Sequence, residues 1–580
     1  MTKYGYPLHP YYEKMPEIGR KLSRVLDDNI AEIKAEEAKV AEEVEKVRTA
    51  GKAKDVMNDK GEWDVWQRLE YLVDPGTWCP LHTLYNWREN EEGQSNVVDG
   101  LGRINGKWAI IIAFNNKIMA GAWLSGQADN VLRVTDIAKR LHLPLVWVLN
   151  CSGVKLNEQE YIFPNRRGSG TPFFRHAELQ KMGIPIIVGI YGTNPAGGGY
   201  QGISPTILIA HKNANMAVGG AGIVSGMSPK GFIDEEVAGG LIKNTRIFKS
   251  TPPGRVEIHQ GSTGFFRDVC DTEEEVLDDI KRYMDTLPAY DPTFFRVAQP
   301  KEPKYEGKEL YSIVPFNQKR TYNMPDVLAR LFDASEHLEF RPDYGPEMYC
   351  GLAKIDGFLC AFIANNQGMM PAGYPKYADY GAVGGKLYRE GLIKMNEFVT
   401  LCGRDRIPMI WLQDTTGIDV GDIAEQAEML GLGQSLIYSI EQSDLPMMTI
   451  ILRKGSAAAH YVLGGPQANN NNAFTLGTAV TEIYVMHGET AAAAMYARRL
   501  VKDEDAGKPL DGTIGKMNDI IDMYQDRSRP IFCAQEGLVD EIVNLPDMRK
   551  YCKAFVGCFY QNPVSFCAVH QQMTPRIIKG

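Results

Sequence analysis

The stretch IPIIVGIYGTNPAGGGYQ, residues 184–201, joins an apolar run to a turn made largely of small residues. An apolar run of this length, bounded by proline and glycine, is typical of a buried β-strand. Three consecutive glycines, Gly197–Gly199, follow the point where the strand should end. Glycine leaves the backbone bare, so the stretch predicts a strand that turns sharply and presents main-chain groups to a ligand.

The same pattern occurs twice in the chain. GLGRINGKWAIIIAFNN (100–116) returns as GLAKIDGFLCAFIANN (351–366), and LPLVWVLNCSGV (143–154) returns as IPMIWLQDTTGI (407–418). The opening stretch returns as LPMMTIILRKGSAAAHY (445–461). Because the matches keep their order and approximate spacing, they predict a duplicated domain. Short apolar strands alternate with helix-length segments in both copies, so each copy is predicted to be an α/β unit.

In each copy, two strands that begin after a proline end in small-residue turns: NCSGV and PAGGG in the first, DTTGI and SAAAH in the second. Neighbouring strand ends that turn into helices can direct two backbone N–H groups to one point, where a negatively charged oxygen binds well. The sequence therefore predicts an oxyanion hole in each copy. GLGRIN (100–105) is not a dinucleotide-binding motif, because it lacks the third glycine and begins a strand.

Composition places the chain among ordinary globular proteins. It has 580 residues, of which 44% are hydrophobic and 23% charged, and a formal net charge of -9. No dense basic block predicts a nucleic-acid or polybasic membrane surface, and no apolar run is long enough to cross a bilayer. The ten cysteines form neither a C-x-x-C pair nor a zinc-like cluster with histidine, which predicts buried, reduced thiols and no metal site.

The N-terminal residues are predicted to form a helical extension. Apolar side chains recur there at helical spacing among Glu and Lys, and the pattern ends near Gly51; they are Leu22, Leu26, Ile30, Ile33, Val40, Val44 and Val47. We expect this helix to pack on its own chain or on a partner subunit and to carry no catalytic group. The predicted division is an extension at 1–60, a first domain at 61–310 and a second domain at 311–580.

Together these motifs resemble those of the carboxyltransferase subunits of biotin-dependent acyl-CoA enzymes, over about residues 60–570. The first copy carries VDGLGRINGKWAIIIAFNNKIMAGA, NCSGVKLNEQE, NPAGGGY and GMSPKG, and the second LYSIVP, YNMPDVLARLFDASEHLEF, DTTGI, RKGSAAAHY and VMHGETAAAAMYARR. The N-terminal helix, TNPAGGGYQ and GSAAAHYVLGGPQANNNN are similar to the members that decarboxylate glutaconyl-CoA in sodium-translocating enzymes. Where many relatives have NDSGGAR and RKAYGGAY, this chain has NCSGVKL and RKGSAAAHY.

The resemblance implies an α/β protein with two duplicated crotonase-like ββα spiral domains, in a homodimer or larger oligomer. Its active site would lie between the first domain of one subunit and the second domain of another. The first domain would hold the CoA thioester and the second the biotin, so that CO2 passes from glutaconyl-CoA to biotin and crotonyl-CoA is released.

The resemblance also implies partner subunits. The chain contains no A-M-K-M biotinylation sequence, so biotin would be carried covalently by a separate carrier subunit. A membrane sodium-pump subunit would be the further partner, which would place this chain in the cytoplasm on the inner face of the membrane.

Motif matching implies which residues form the two oxyanion holes. Backbone N–H groups would act as the catalytic donors near four pairs of positions: Gly153 or Val154 and Gly197 or Gly198 on the acyl-CoA side, Gly417 or Ile418 and Ala458 or Ala459 on the biotin side. Ala196, Gly199, Thr416 and Ala457 adjoin them and would contact the bound groups. Two holes suit the chemistry, because charge forms first on the thioester oxygen and then on the ureido oxygen of biotin. A Gly198→Val variant is expected to lose transfer and acyl-CoA binding together while leaving the fold largely intact.

Three other functions stay open. The chain could act on propionyl-, methylmalonyl- or methylcrotonyl-CoA. It could be a crotonase-like hydratase, isomerase or hydrolase that uses Glu158 and Glu160, although acidic residues at a helix start also favour the helix dipole. It could also be a non-catalytic assembly subunit in which Ala457–Ala459 mark a decayed site.

Four polar features have no role assigned by the motifs. His460 follows the second small-residue turn and could be structural or an acid or base. Arg166 and Arg167 could meet CoA phosphates or a substrate carboxylate, or lie in solvent. Asn469–Asn472 predict a polar surface loop near the biotin side.

Overall fold

The computed structural model describes residues 13–561 except 87–89, 91–94, 165, 204–206, 227–229, 288–292 and 294. Two compact units make up the chain: Met1–Glu43 with Asp291–Tyr560, and Val44–Tyr290 with Gln561–Gly580. We call the second the acyl unit and the first the biotin unit, after the roles expected of their turns. The predicted functional domains at 61–310 and 311–580 stay a prediction.

The predicted N-terminal helix is present as α1 (Asp27–Thr49). Leu22 and Leu26 precede this helix, so the helix begins later in the chain than the apolar spacing predicted. Ile33, Val40 and Val47 are buried along one side. In the biotin unit, the Asn29 side-chain amide donates to the carbonyls of Tyr311 (2.7 Å) and Val314 (2.9 Å), which anchors the start of the helix.

In the described residues of the acyl unit, a seven-stranded sheet has the order β1-β2-β3-β4-β5-β7-β9, and β6 pairs with β8 in a separate ribbon. The first three strands are antiparallel and the remainder parallel. The strands are β1 (Cys79–Leu81), β2 (Val97–Ile104), β3 (Lys107–Phe114), β4 (Leu145–Leu149), β5 (Ile186–Ile190), β6 (Thr193–Pro195), β7 (Ile207–His211), β8 (Asn215–Ala217) and β9 (Asp268–Cys270). The central parallel strands are apolar throughout because helices or loops cover both faces.

Helices connect these strands. They are α2 (Lys54–Asn58), α3 (Val65–Leu72), α4 (Gln127–Leu141), α5 (Gln159–Ile162), α6 (Thr171–Lys181), α7 (Gly197–Ile203), α8 (Ala221–Gly226), α9 (Glu235–Ser250) and α10 (Glu273–Asp285). A 3₁₀ turn at Leu156–Glu158 and a π turn at Ile258–Ser262 complete the unit. The core joins α3 and α10 to the apolar strands through side chains such as Leu69, Ile111, Val148 and Ile280.

In the described residues of the biotin unit, a sheet of eight strands repeats this order as β10-β11-β12-β14-β16-β17-β19, with β18 on the end of β16. A two-stranded ribbon, β13 with β15, lies outside it. The strands are β10 (His337–Glu339), β11 (Met348–Ile355), β12 (Phe358–Asn365), β13 (Lys386–Leu387), β14 (Met409–Thr415), β15 (Gly417–Ile418), β16 (Met447–Ser456), β17 (Asn472–Thr478), β18 (Glu482–Tyr484) and β19 (Glu541–Val543). The seven strands along the main path of each sheet match one to one, so the predicted duplication is confirmed.

The helices of this unit follow the same plan. They are α11 (Leu310–Ile313), α12 (Met324–Leu328), α13 (Arg389–Asp405), α14 (Asp422–Gln426), α15 (Met429–Gln442), α16 (Ala457–Val462), α17 (Gly488–Asp505), α18 (Asp511–Asp526), α19 (Pro530–Gln535) and α20 (Met548–Gln561). Short 3₁₀ turns occupy Gly307–Glu309, Asp333–Ser335 and Leu545–Asp547.

Two further sequence predictions concern thiols and membranes. The nine cysteines within the described ranges are all buried and none of these is in a disulfide, as predicted. Among the helices of the described part of the chain, none is both long and apolar enough to span a membrane.

A buried ion pair fastens α3 to α10 in the acyl unit. The Arg68 guanidinium donates to both carboxylate oxygens of Glu273 at 2.8 Å, and it also lies 3.8 Å from the centre of the Tyr191 ring. We predict that Arg68→Ala lowers the free energy of unfolding by about 3–5 kcal/mol, because it leaves the Glu273 carboxylate buried without its counter-ion. Thermal unfolding monitored by intrinsic fluorescence measures the change.

The matched control is Lys212→Ala, which removes the partner of Asp271 in an exposed ion pair of 3.3 Å. Its effect should stay below about 1 kcal/mol. Equal effects of the two substitutions would contradict the assignment of the Arg68 pair as a core contact.

Candidate active site

The first turn of the acyl unit follows β4 and contains Gly153 and Val154. Gly153 has φ +108, a conformation that favours glycine. The Trp123 N–H donates to the Gly153 carbonyl (2.8 Å), and the Lys155 N–H donates to the Trp123 carbonyl (3.0 Å). Since adjacent residues of an extended strand direct their N–H groups to opposite sides, the Val154 N–H points away from Trp123.

Cys151 fixes the start of this turn. Its backbone N–H donates to the Asn194 side-chain oxygen at 2.8 Å. Burial raises the pKa of the Cys151 thiol to about 12, and a hydrogen bond from the Gly153 N–H to the sulfur opposes that rise. The Gly153 N–H is thus directed into the turn, whereas the Val154 N–H is directed out of it.

The second turn of the acyl unit follows β6 and leads into α7. Ala196 has φ +48, which is uncommon for a residue with a Cβ atom. Its N–H donates to the Ala217 carbonyl at 2.7 Å. Asn194 ties this turn to the first, because its amide accepts from Cys151 and donates to the Tyr191 carbonyl at 2.8 Å.

The three glycines of this turn have different surroundings. A Cβ atom at Gly198 would lie 2.6 Å from the Cys151 carbonyl oxygen, and one at Gly199 would lie 3.2 Å from the Asn194 carbonyl oxygen. A Cβ atom at Gly197 would meet only the Phe173 ring, at 3.5 Å. Gly198 is therefore required where the two turns touch, and Gly197 faces more open space. The prediction that Gly198→Val leaves the fold largely intact stays a prediction, and the geometry argues against it, because the added side chain would displace a main-chain carbonyl.

The first turn of the biotin unit follows β14 and repeats the geometry of Gly153 and Val154. Gly417 has φ +137, and Leu387 pairs with Ile418 in the β13–β15 ribbon. The Asp419 N–H donates to the Leu387 carbonyl at 3.0 Å, as the Lys155 N–H does to Trp123. The Ile418 N–H therefore points away from the ribbon.

Two neighbouring N–H groups of this turn have partners inside it. The Gly417 N–H faces the Thr415 hydroxyl at 3.4 Å. The Thr416 N–H donates to the Gly385 carbonyl at 2.7 Å, so Thr416 holds the turn to the segment before β13.

The second turn of the biotin unit joins β16 to α16. Ala457 has φ +53, the counterpart of Ala196, and the Ser456 side chain makes no capping hydrogen bond to the helix. Ala458 is exposed and Ala459 is buried. A Cβ atom at Gly433 would lie 3.8 Å from Ile418 Cδ1 and 3.9 Å from Val462 Cγ2, which places the Ile418 turn beside α16.

Comparison with known proteins identifies the family. The chain matches the carboxyl transferase domain family over residues 57–573. It is 56% identical over 577 residues to the glutaconyl-CoA decarboxylase subunit alpha of Acidaminococcus fermentans, covering 99% of this chain and 98% of that protein. The chain belongs to the carboxyl transferase family.

More distant relatives are similar to this chain in sequence or in fold. The biotin-dependent 3-methylcrotonyl-coenzyme A carboxylase beta1 subunit of Mycobacterium tuberculosis is 25% identical over 490 residues, 83% of this chain and 86% of that protein. The crystal structure of the P. aeruginosa geranyl-CoA carboxylase beta subunit superposes with a TM-score of 0.75 at 21% identity, over 94% of this chain and 97% of that one. The fold expected from the sequence, two carboxyltransferase domains after a helical extension, is thus confirmed.

His460, for which the sequence left a structural or an acid–base role open, is buried in the biotin unit. Its Nδ1 lies 3.0 Å from the Gln413 side-chain oxygen, and a Cβ atom at Gly455 would approach that nitrogen to 2.6 Å. Burial lowers the pKa of His460 to about 4, so the ring is neutral near pH 7. The side chain packs beneath the second turn and does not line it.

The prediction of a polar surface loop at Asn469–Asn472 is wrong. Asn469, Asn471 and Asn472 are buried. The Asn471 amide donates to the carbonyls of Ile440 (2.9 Å) and Glu441 (3.0 Å), which caps the C-terminal end of α15. The run of asparagines satisfies backbone groups that would otherwise be buried without partners.

The charged groups considered near the first turn are paired or exposed. Glu158 forms a 2.7 Å ion pair with Lys155, and Glu160 lies exposed in α5. The Arg167 guanidinium contacts the Asp129 carboxylate. The Arg166 carbonyl accepts a 2.9 Å hydrogen bond from the Thr171 hydroxyl.

The sequence analysis missed two polar residues that hold the turns. Asn194 joins both turns of the acyl unit, and Asp419 joins the first turn of the biotin unit to Tyr377, Tyr380 and Lys386. The sequence carried a signal in both places: Asn194 directly precedes the PAGGG turn, and GYPKYADYGAVGGKLY (373–388) is rich in tyrosine just before β13.

The buried His460 predicts a stability that depends on pH. Its pKa is about 4 in the folded protein, whereas the unfolded chain has a value of about 6.5. The unfolded chain therefore takes up the proton first, and stability falls as the pH drops from 6.5 towards 4. We expect His460 to account for a loss of about 2 kcal/mol between pH 7 and pH 5.

Thermal unfolding of wild type and His460→Gln at pH 7 and pH 5 measures this contribution. The variant should lose less stability than wild type over that interval. His176, which is fully buried and whose pKa burial also lowers to about 4, remains in both proteins and supplies a common background. Identical pH dependence in the two proteins would show that His460 titrates normally.

Proposed function

We propose that this chain transfers CO2 from glutaconyl-CoA to biotin on a carrier subunit and releases crotonyl-CoA. The observation that carries the proposal is the duplicated turn: Val154 and Ile418 occupy the same place in the two units, each with its N–H directed out of a strand pair. A reaction with two oxyanions, one on each substrate, requires two such sites. Glutaconyl-CoA is chosen because the relative at 56% identity is the glutaconyl-CoA decarboxylase subunit alpha.

On the acyl-CoA side, the chain would stabilise the charge left when CO2 departs. That charge is delocalised from the carbon onto the thioester oxygen. The Val154 N–H of the first turn and the N–H of Gly197 or Gly198 in the second turn would donate to this oxygen. Val154 is preferred to Gly153, because the Gly153 N–H is directed at the Cys151 sulfur. Each such donor contributes about 3 kcal/mol to transition-state stabilisation in enzymes of known mechanism.

On the biotin side, the Ile418 N–H and the N–H of Ala458 or Ala459 would hold the ureido oxygen. The residues fit this role, because Ala458 is exposed and the Ile418 N–H has no part in the β13–β15 pairing. Biotin supplies the ring nitrogen that accepts CO2. The chain would orient that ring and stabilise negative charge on its oxygen, whereas Gly417 and Thr416 would hold the turn.

The partner subunits are proposed from the similarity to the glutaconyl-CoA decarboxylase subunit alpha. We infer a carrier subunit for biotin, a membrane sodium-pump subunit and a cytoplasmic position on the membrane through these partners. A homo-oligomer is supported by apolar side chains that are exposed near both kinds of turn. Phe174 and Val218 are 80% and 84% exposed in the acyl unit, and Val420 and Leu430 are 75% and 80% exposed in the biotin unit. A subunit contact would remove these apolar side chains from water, which favours association.

The other functions left open by the sequence have less support. Glu158 is held by Lys155, which disfavours it as the acid or base of a hydratase. A decayed second site would have no need for the strained φ of Ala457, yet Ala457 keeps the conformation of Ala196.

The direct test uses the purified full chain with glutaconyl-CoA labelled in its free carboxylate and free biotin at high concentration. The proposal expects label on biotin, formation of crotonyl-CoA in equal amount and no reaction without biotin. Hydration or thioester cleavage without biotin would overturn it in favour of a hydratase or hydrolase. Faster transfer from another carboxylated acyl-CoA would overturn only the choice of substrate.

Gly197→Val tests the acyl-CoA side. We predict at least a 100-fold loss of transfer, the size of effect reported for removing one oxyanion-hole donor, because a branched side chain would fill the open space beside the donors. Crotonyl-CoA binding should weaken in parallel. Labelled transfer and calorimetric titration measure the two effects.

Gly307→Val is the matched control. A Cβ atom at Gly307 would also meet its nearest neighbour, Pro546, at 3.5 Å, at the start of a short helical turn remote from β4 and β5 along the sequence. Both variants should unfold within a few degrees of wild type. Full activity of a folded Gly197→Val variant would contradict the placement of the acyl-CoA oxyanion hole.

A further inference from the structure

The residue after each outward-pointing N–H group differs in charge between the two units. In the acyl unit this residue is Lys155, and in the biotin unit it is Asp419. Lys155 pairs with Glu158, three residues further along the same turn. Asp419 instead reaches a different segment of the chain, residues 377–386, and is only 4% exposed.

Three donors converge on the Asp419 carboxylate. The Tyr377 hydroxyl donates to one oxygen at 2.6 Å, and the Tyr380 hydroxyl donates to the same oxygen. The Lys386 ammonium lies 2.5 Å from the other oxygen. We call these four residues the Asp419 clamp.

The electrostatics of the clamp agree with an ionised carboxylate. Burial would raise the pKa of Asp419, but the Lys386 ammonium and the two tyrosine hydroxyls lower it below its ordinary value. Burial, followed by the hydrogen bond to Asp419, raises the pKa of Tyr380 to about 12 and that of Tyr377 further. Both hydroxyls therefore stay protonated donors near pH 7.

The clamp acts on the ribbon that carries Ile418. Lys386 pairs with Gly417 and Leu387 with Ile418, and the Asp419 N–H donates to the Leu387 carbonyl. The ribbon is only two residues long on each strand, so its own hydrogen bonds constrain it weakly. Asp419 directly follows Ile418 in the chain. Its carboxylate contacts hold the two strands of the ribbon and the tyrosine segment together.

We propose that Asp419 is a positioning residue for the biotin-side reaction, and that the Asp419 clamp fixes the direction of the Ile418 N–H. This inference rests on the proposed function, because it assumes that Ile418 donates to the ureido oxygen of biotin. The proposal concerns the biotin side only. On the acyl-CoA side, Lys155 stands at the position equivalent to Asp419 and pairs with Glu158.

The test is transfer of label from glutaconyl-CoA to free biotin by the full chain and by Asp419→Asn. An amide cannot accept from two hydroxyls and an ammonium as the carboxylate does, so the ribbon should lose its fixed orientation. We expect kcat to fall by about 10-fold to 100-fold, the cost of misplacing a reacting group by roughly 1 Å. Crotonyl-CoA affinity should stay within about twofold of wild type, since the acyl unit is unchanged.

Two further variants separate positioning from general damage. Asp419→Glu should recover part of the lost kcat, because it restores the carboxylate. Tyr377→Phe should lower kcat less than Asp419→Asn, and the double variant should be no worse than Asp419→Asn alone, because both changes act through one contact. Asp405→Asn, at an exposed carboxylate paired with Arg404 in the same unit, is the matched control and should transfer label normally.

The outcomes are distinct. Normal kcat in a folded Asp419→Asn variant would overturn the inference and leave the proposed function intact. A loss of kcat accompanied by an equal loss of crotonyl-CoA binding, or additive effects in the double variant, would also overturn it, because the damage would then be general. No label on biotin with wild type would instead be a failure of the proposed function.

Discussion

A glycine with positive φ, placed a few residues after the end of a buried parallel strand, is the constraint on which both candidate sites depend. Gly153 and Gly417 adopt φ values that allow the chain to turn there, and the next residue pairs with a second segment of the chain. Once Trp123 or Leu387 holds that residue on one side, the N–H of Val154 or Ile418 must face the other side. The direction of the donor thus follows from main-chain pairing, whatever side chain the donor residue carries.

The second turn adds a strained alanine to this arrangement. Ala196 and Ala457 both adopt a left-handed conformation that costs of order 1 kcal/mol for a residue with a Cβ atom. Such strain persists only where the surroundings impose it. Its presence at equivalent places in both units indicates that the turns are held by the strands and helices around them, through contacts such as Ala196 to Ala217.

The sequence predicted the repeat, the strands and the location of the turns, because these depend on apolar runs, prolines and small residues that can be read directly. It could not choose between Gly153 and Val154, because that choice depends on the Cys151 sulfur and on Trp123, which are brought together only by folding. The prediction of a surface loop at Asn469–Asn472 was wrong for a related reason. Asparagine is usually exposed, but here the free carbonyls at the end of α15 supply partners for buried amides.

The two turns that follow β6 and β16 show how far their chemistry can diverge while the backbone stays the same. Gly198 leaves too little room for a side chain, because a Cβ atom there would lie 2.6 Å from the Cys151 carbonyl oxygen. In the biotin unit, Ala459 stands at the equivalent place, and its methyl group is buried in the apolar core that also contains Trp411 and Leu436. Glycine is therefore needed at position 198 because there is little room for a side chain. The Ala459 methyl group, by contrast, adds to the apolar core of the biotin unit. Access to the N–H groups depends instead on Gly197 and Ala458, the less buried members of each turn, so the alanines of SAAAH are no evidence against a working site.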